Sequence, residues 1–193
     1  MTDPNHENFS EENQPQEEEE VRTPKFLEAR PGRLVSWQGL IERVIEEFRL
    51  EHGKDESEAI REAQSAAQRR ALVRDAALYI FAVEAVQLSP VEQAEIIGTA
   101  YSELFGFGPL DPYFADEKVV TIALEGVNKL SVRYGAGADF TLQEPVFEDI
   151  HHLRRILRRL LQQANADFQL ELPIIEVGLM VEDRPVSVSI AVP

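Results

Sequence analysis

From residue 37 onward the apolar positions fall at steps of three and four. Trp37, Leu40, Ile41, Val44, Ile45 and Phe48 form one stripe, which predicts an amphipathic helix that stops near Gly53. Asp55 followed by Glu58 reads as a capping box, and the alanine-rich stretch behind it predicts a second helix to about Gln87. Its middle, "AAQRRALVRDAAL", is only weakly amphipathic and leaves room for a break. A third helix opens at Ser89 as cap, with Pro90 in the first helical position and Glu92 placed to reach back to the Ser89 amide. Ile96, Ile97, Ala100, Tyr101, Leu104 and Phe105 form its buried face, and Gly106 stands where a left-handed residue ends a helix.

Beyond Gly106 the period changes to two. "KVVTIAL" (118–124) and "KLSVRY" (129–134) predict a hairpin around "EGVN", with "DFTL" (139–142) as a short third strand. A helix from about Phe147 to Ala164 follows, carrying Ile150, Leu153, Ile156, Leu157, Leu160 and Leu161 on its apolar stripe and Glu148 and Asp149 at its positive end. "DFQLEL", "IIEVGLMV" and "PVSVSIAV" read as strands, the last two joined by an "EDR" turn. Strands, one long helix and strands again predict an α+β fold: a small mixed sheet packed with that helix, behind a helical segment. The expected division is 1–33 as a disordered acidic tail, 34–106 as the helical segment and 107–193 as the α+β domain.

Composition sharpens the reading of the tail. Residues 1–20 hold eight acidic residues and no Lys or Arg, which is half of the net charge of −16. Glutamates among Asn, Gln and Pro cannot bury enough apolar surface to offset chain entropy, and residues 1–30 carry no periodic apolar position. An acidic chain repels phosphate backbones, so nucleic-acid binding is not expected. With no cysteine, disulfides and thiolate-held zinc are excluded. The most apolar window, "AALYIFAVEAV", contains Glu84 and is too short for a spanning helix, so no direct membrane insertion is expected. The N-terminus shows no secretory signal, and the expected location is cytoplasmic, with the inner-membrane surface as an alternative place of work.

The Gly-Phe-Gly of "LFGFGPLDPYFAD" invites a phosphate-loop reading, which the context opposes. A dinucleotide loop follows a strand, whereas this one follows a helix, and Asp111 occupies the third glycine's position. No Walker loop is present in the sequence, and Pro109 removes an amide that a phosphate cradle would use. The stretch reads as punctuation between two halves. His6, His52, His151 and His152 lack zinc spacing, and no serine or carboxylate has an assignable catalytic partner, so neither a metal site nor a catalytic residue is expected. Arg154, Arg155, Arg158 and Arg159 form the one basic cluster. They are expected on the flanks and solvent side of their helix, either simply solvated there or gripping an acidic surface, the chain's own glutamates included.

"GFGPLDPYFADEKVVTIALEG" resembles the signature that opens the N-terminal domain of type II/type IV secretion ATPases, in particular the CpaF/TadA-like pilus-assembly motors. Gly106, Gly108, Pro109, Leu110, Pro112, Asp116, Ile122 and Gly126 fall in register with it. "LSVRYG" and "HLRRIL" follow in the family's order, so the resemblance spans residues 101–193. It implies a domain that sits ahead of a RecA-like motor, with ATP and magnesium between the two. The phosphate loop and catalytic glutamate would lie on that motor, outside this chain. Where the family tends to carry two arginines towards the nucleotide, this chain has Gly178 and, in the second place, Arg184 as a remnant of nucleotide contact. The resemblance therefore implies a non-catalytic docking domain without a cofactor of its own. Its partners would be a motor subunit, an inner-membrane platform protein or further copies of itself. The alternatives are the leading part of an active ATPase whose hydrolysis lies in another domain, and a regulatory adaptor that binds an unrelated partner through its helices.

Overall fold

The computed structural model describes residues 25–28, 34–53, 57–144, 147–166, 174–181 and 184–191. Two short strands, β1 (Phe26–Glu28) and β2 (Leu34–Ser36), pair antiparallel and lead into α1 (Trp37–His52). Ser36 caps α1 by accepting a hydrogen bond from the Gly39 amide at 3.0 Å. Strand β1 falls inside the expected 1–33 tail and corrects that expectation for Phe26–Glu28. Leu27 packs against the helical core, and Lys25 places its ammonium 3.9 Å from the centre of the Trp37 ring. The acidic residues upstream of Lys25 lie outside the described residues.

The long second helix divides into α2 (Glu58–Glu62) and α3 (Ala66–Glu84). The caps are Ser57 and Ser65 rather than Asp55, and Ser65 forms a reciprocal box with Gln68. The break thus lies at Ala63–Ser65, before the weakly amphipathic stretch, and Ala85 in the left-handed region ends α3 ahead of Gln87. In α4 (Pro90–Phe105), Ser89 and Glu92 exchange the hydrogen bonds that the sequence predicts. Leu40, Val44 and Phe48 of α1 meet Val73, Ala77 and Ile80 of α3 and Ile96 and Ala100 of α4 in one apolar cluster. Alanines at buried contact positions let helix axes approach closely. Arg43 pairs with the buried Glu84 carboxylate and ties α1 to the end of α3.

Gly106 is extended, with φ −102°, and not left-handed. The left-handed residue is Gly108 (φ +57°), which starts a tight turn over Gly108–Leu110 that runs into the short helix α5 (Asp111–Ala115). The strands are β3 (Val119–Glu125), β4 (Lys129–Tyr134), β5 (Phe140–Gln143), β6 (Ile174–Val181) and β7 (Arg184–Ala191). They make no single mixed sheet. β3–β4–β5 is one antiparallel sheet and β6–β7 a separate antiparallel hairpin. The hairpin registers of both follow the period-two pattern, while "DFQLEL" lies outside the described residues.

Helix α6 (Ile150–Gln163) starts with the first residue of its apolar stripe and three residues after the expected Phe147, because Asp149 serves as the cap and accepts from the His152 amide at 2.7 Å. That backbone bond holds the Asp149 carboxyl below its usual range. Leu153, Ile156 and Leu160 pack with Leu130 and Val132 of β4 and with Phe107, Leu110 and Phe114 in a second apolar cluster. The opposite face of the three-stranded sheet carries Phe140 (49% exposed) and Leu142 (66% exposed) on the edge strand β5. The fold is α+β.

Candidate functional site

The two apolar clusters meet at the end of α4, and the contact between them is polar. Glu103 lies on the buried side of α4, one residue before Leu104, and is 9% exposed. His152, 6% exposed, lies one turn ahead of Ile156 on α6. Its Nε2 is 3.0 and 3.1 Å from the two Glu103 carboxylate oxygens. The Glu148 amide faces Nδ1 at 3.5 Å, so that Nε2 is the nitrogen turned to Glu103. The His152 ring stands edge-on to Phe147, with centroids 5.3 Å apart. Arg155 reaches Glu103 at 3.4 Å from the solvent side. Burial by itself would raise the Glu103 carboxyl, but the His152 hydrogen bond and the charges of His152 and Arg155 outweigh it and hold the group below its usual range.

Arg159 completes the junction one turn further along α6. Its guanidinium donates to the Glu103 carbonyl at 3.1 Å and the Gly106 carbonyl at 2.5 Å, the free acceptors at the end of α4. The arginines therefore divide: Arg155 keeps the expected exposed flank position while reaching Glu103, and Arg159, which is half-buried, corrects the expectation that all four face the flanks and solvent. Arg155 and Arg159 make contacts at the junction, whereas Arg154 and Arg158 are exposed and have no hydrogen-bond or ion-pair partner among the described residues.

The glycine-rich turn is part of the same joint. A Cβ on Gly108 would stand 2.7 Å from Glu103 Oε1 and 3.0 Å from Ile156 Cδ1, so both its conformation and its closeness require glycine. Asp111 accepts from the Phe107 amide at 2.8 Å, and its other oxygen bonds the Ser102 hydroxyl. Ser102 also reaches the Gly108 carbonyl at 3.0 Å. Pro109 and Leu110 complete the tight turn, with Leu110 buried, and Pro112 stands in the first turn of α5. Asp116 orders the following turn by accepting from the Lys118 amide, and Gly126 takes a left-handed conformation in the β3–β4 hairpin.

Arg184 is engaged with backbone. Its guanidinium donates to the carbonyls of Asp116 at 3.0 Å, Val119 at 3.4 Å and Phe114, which fastens β7 to the end of α5. A cleft of about 970 Å³ runs along the joint, with Gln38, Tyr101, Ser102, Asp111, Glu148 and His152 among its walls. The serine there is bound to Asp111 and the histidine to Glu103, so the two pairs do not combine into a nucleophile, base and acid in sequence. Among the described residues no group of three or more His, Cys, Asp or Glu side chains is placed to hold a metal ion. No helix among them is long and apolar enough to cross a membrane.

Sequence reasoning missed the central pair. A signal was available, since Glu103 falls seven residues after Ile96 and His152 four before Ile156, each on a stripe of otherwise apolar positions. No family model matches the chain, and no curated protein matches it.

Proposed function

We propose that the chain is a non-catalytic docking and assembly domain, similar to the N-terminal domain of type II/IV secretion ATPases, acting in the cytoplasm or at the inner-membrane surface. It presents an arginine surface to an acidic partner, either a motor subunit or a membrane-platform protein. The observation that carries this reading is the division of the arginines. Arg155 and Arg159 lock α6 onto the end of α4, and that lock fixes the direction in which Arg154 and Arg158, which have no partner among the described residues, face solvent. A rigid helix loses little entropy when a partner meets its charged face, so such a surface is organised for recognition. The signature loop supports the same reading. Asp111, Ser102, Gly106 and Gly108 are engaged in holding the two halves together, and Arg184 binds carbonyls of the chain itself where a nucleotide-contacting arginine would be directed outward.

The test is calorimetric titration of the purified chain with a secretion motor domain and with the cytosolic part of a platform protein. Arg154→Glu/Arg158→Glu is expected to weaken the interaction at least roughly tenfold, and by more at low salt than at high salt. Equal binding by the variant and the parent would overturn the docking surface. ATP with magnesium is expected to give no binding heat, because the sequence supplies no phosphate loop; micromolar affinity would overturn the non-catalytic reading.

A further inference from the structure

Two neighbouring arginines of α3 lie over aromatic rings of α4. The Arg69 guanidinium stands 5.7 Å from the centre of the Phe105 ring, and that of Arg70 stands 4.8 Å from the centre of the Tyr101 ring. Arg69 also donates to the Ala63 carbonyl at 3.0 Å, where α2 gives way to α3. Arg70 has no hydrogen-bond or ion-pair partner among the described residues. Stacking therefore positions its guanidinium and leaves the N–H donors open to a ligand. Arg70 and Tyr101 both line the cleft of about 970 Å³, and among the described residues that line it Arg70 is the one lysine or arginine.

Gly98 points to the same place. It lies in the middle of α4, one turn ahead of Tyr101 and Ser102, and it lines the same cleft. Only proline forms helix less readily than glycine, so a glycine inside a helix calls for a reason. At Gly108 the reason is crowding and a left-handed backbone. Gly98 has neither: a Cβ there would meet no atom beyond its own helical backbone within 4 Å, and its φ is not positive. What the glycine leaves is room in the cleft wall, one turn from the ring on which Arg70 is stacked.

The charges of the cleft narrow the class of ligand. Glu103 is engaged by His152 and Arg155, and Asp111 by Ser102 and the Phe107 amide. Glu148 is exposed and takes only the neutral Gln38 amide, at 2.5 Å, among its printed contacts' partners on α1. One guanidinium among three carboxylates attracts a single negative charge and disfavours a polyphosphate. The fork of N–H donors matches the two oxygens of a carboxylate. The Tyr101 and Phe105 rings, with centroids 5.5 Å apart, offer apolar surface beside it, and a cleft of this volume is of the size that small molecules occupy.

We propose that the cleft binds a small carboxylic acid with an apolar body, the carboxylate on the Arg70 guanidinium and the body over Gly98 and against Tyr101. The site is distinct from the Arg154 and Arg158 surface of α6 and does not depend on the docking function.

The probe is 4-phenylbutyrate, titrated into the isotope-labelled full chain and followed by NMR. The backbone amides of Gly98, Tyr101 and Ser102 and the Arg70 Nε–H are expected to shift and to saturate. The neutral amide 4-phenylbutyramide has the same body without the charge and should bind much more weakly. Arg70→Gln is expected to weaken 4-phenylbutyrate roughly tenfold, and Arg70→Lys, which keeps the charge but not the fork, by less. Gly98→Ala should melt at the same temperature as the parent or higher, because alanine favours the helix, and yet bind the probe severalfold more weakly. Shifts that do not saturate, equal binding of the amide, or undiminished binding by Arg70→Gln would each overturn the site. Full binding by Gly98→Ala, or a lower melting temperature, would overturn the placing of the ligand body over Gly98. Each of these outcomes leaves the test of the α6 surface untouched.

Discussion

The helical part, residues 34–106, and the α+β part that follows it bury their apolar residues in different ways. In the first, three helices present continuous stripes to one another, so that Leu40, Val44 and Phe48 meet Val73, Ala77 and Ile80 and then Ile96 and Ala100. In the second, single residues from many short elements converge on α6: Phe107 and Phe147 from loops, Leu110 from the tight turn, Phe114 from α5, Val119, Leu130 and Val132 from the sheet, and Val181 from the separate hairpin. A core of stripes carries its own register. A convergent core depends on how each short piece is held, and here that work falls to polar contacts from Arg159, Arg184, Asp111 and Glu103.

The comparison breaks first if the two cores are not one cooperative unit. Phe48→Ala empties a site at the centre of the helical core and is expected to cost roughly 3–5 kcal/mol. The single tryptophan, Trp37, reports on that half by fluorescence, and amide exchange in β4 reports on the other. Both should shift together, because Glu103 and Arg159 tie the halves; a drop seen only by Trp37 would mean that the α+β part stands alone.

Glu103→Ala leaves His152 buried and without its carboxylate, with an expected loss of about 3 kcal/mol. Glu103→Gln, which keeps a hydrogen-bonding oxygen, should lose less, and urea unfolding of both variants measures the difference. Because the folded-state carboxyl is held below its usual value of 4.5, its contribution is fully present above that pH and is lost as the pH falls through the lower folded value. The gap in stability between the parent and Glu103→Gln is therefore expected to shrink as the pH drops below about 4.5. A constant gap across that range would show that the ionised form of Glu103 contributes nothing.

Gly108→Ala places a methyl group against Glu103 and Ile156 in a left-handed backbone, at an expected cost of about 1–3 kcal/mol. Gly126, also left-handed but with open space around it, should cost less when changed to Ala, so the pair separates crowding from backbone strain. Thermal melts of the two variants give the comparison directly. The smallest effect is expected from Arg154→Glu/Arg158→Glu, under about 1 kcal/mol for each exposed charge. A large drop in its melting temperature would place these arginines in the structural joint beside Arg155 and Arg159.

Much of the helical half is legible in the sequence because its signals are local. Ser89, Pro90 and Glu92 announce α4 within four residues, and the stripe of α1 needs no partner to be seen. The same locality misled at α2 and α3, where Asp55 with Glu58 resembled a capping box while the working caps were Ser57 and Ser65. Gly106 and Gly108 show another limit. Spacing located a turn, but which glycine takes the left-handed conformation depends on Asp111 folding back to the Phe107 amide. The pairing of Glu103 with His152 joins residues 49 apart in sequence, and periodicity reports only that each lies on a buried face. The division of the arginines follows from that pairing, so their single cluster in sequence gave no sign of two roles.

Strand β5 carries a consequence for the protein in concentrated solution. Among the described residues its four residues form a sheet edge, with Phe140 and Leu142 presented side by side on the outer face. An edge of this kind is a template for another chain's strand, and native proteins commonly blunt it with lysine or proline, neither of which occurs in β5. The molecule's net charge of −16 opposes the approach of neighbouring copies instead. Solubility at this edge is therefore governed by residues distant from it, and acidification or multivalent cations should bring on strand-to-strand aggregation before the fold itself gives way.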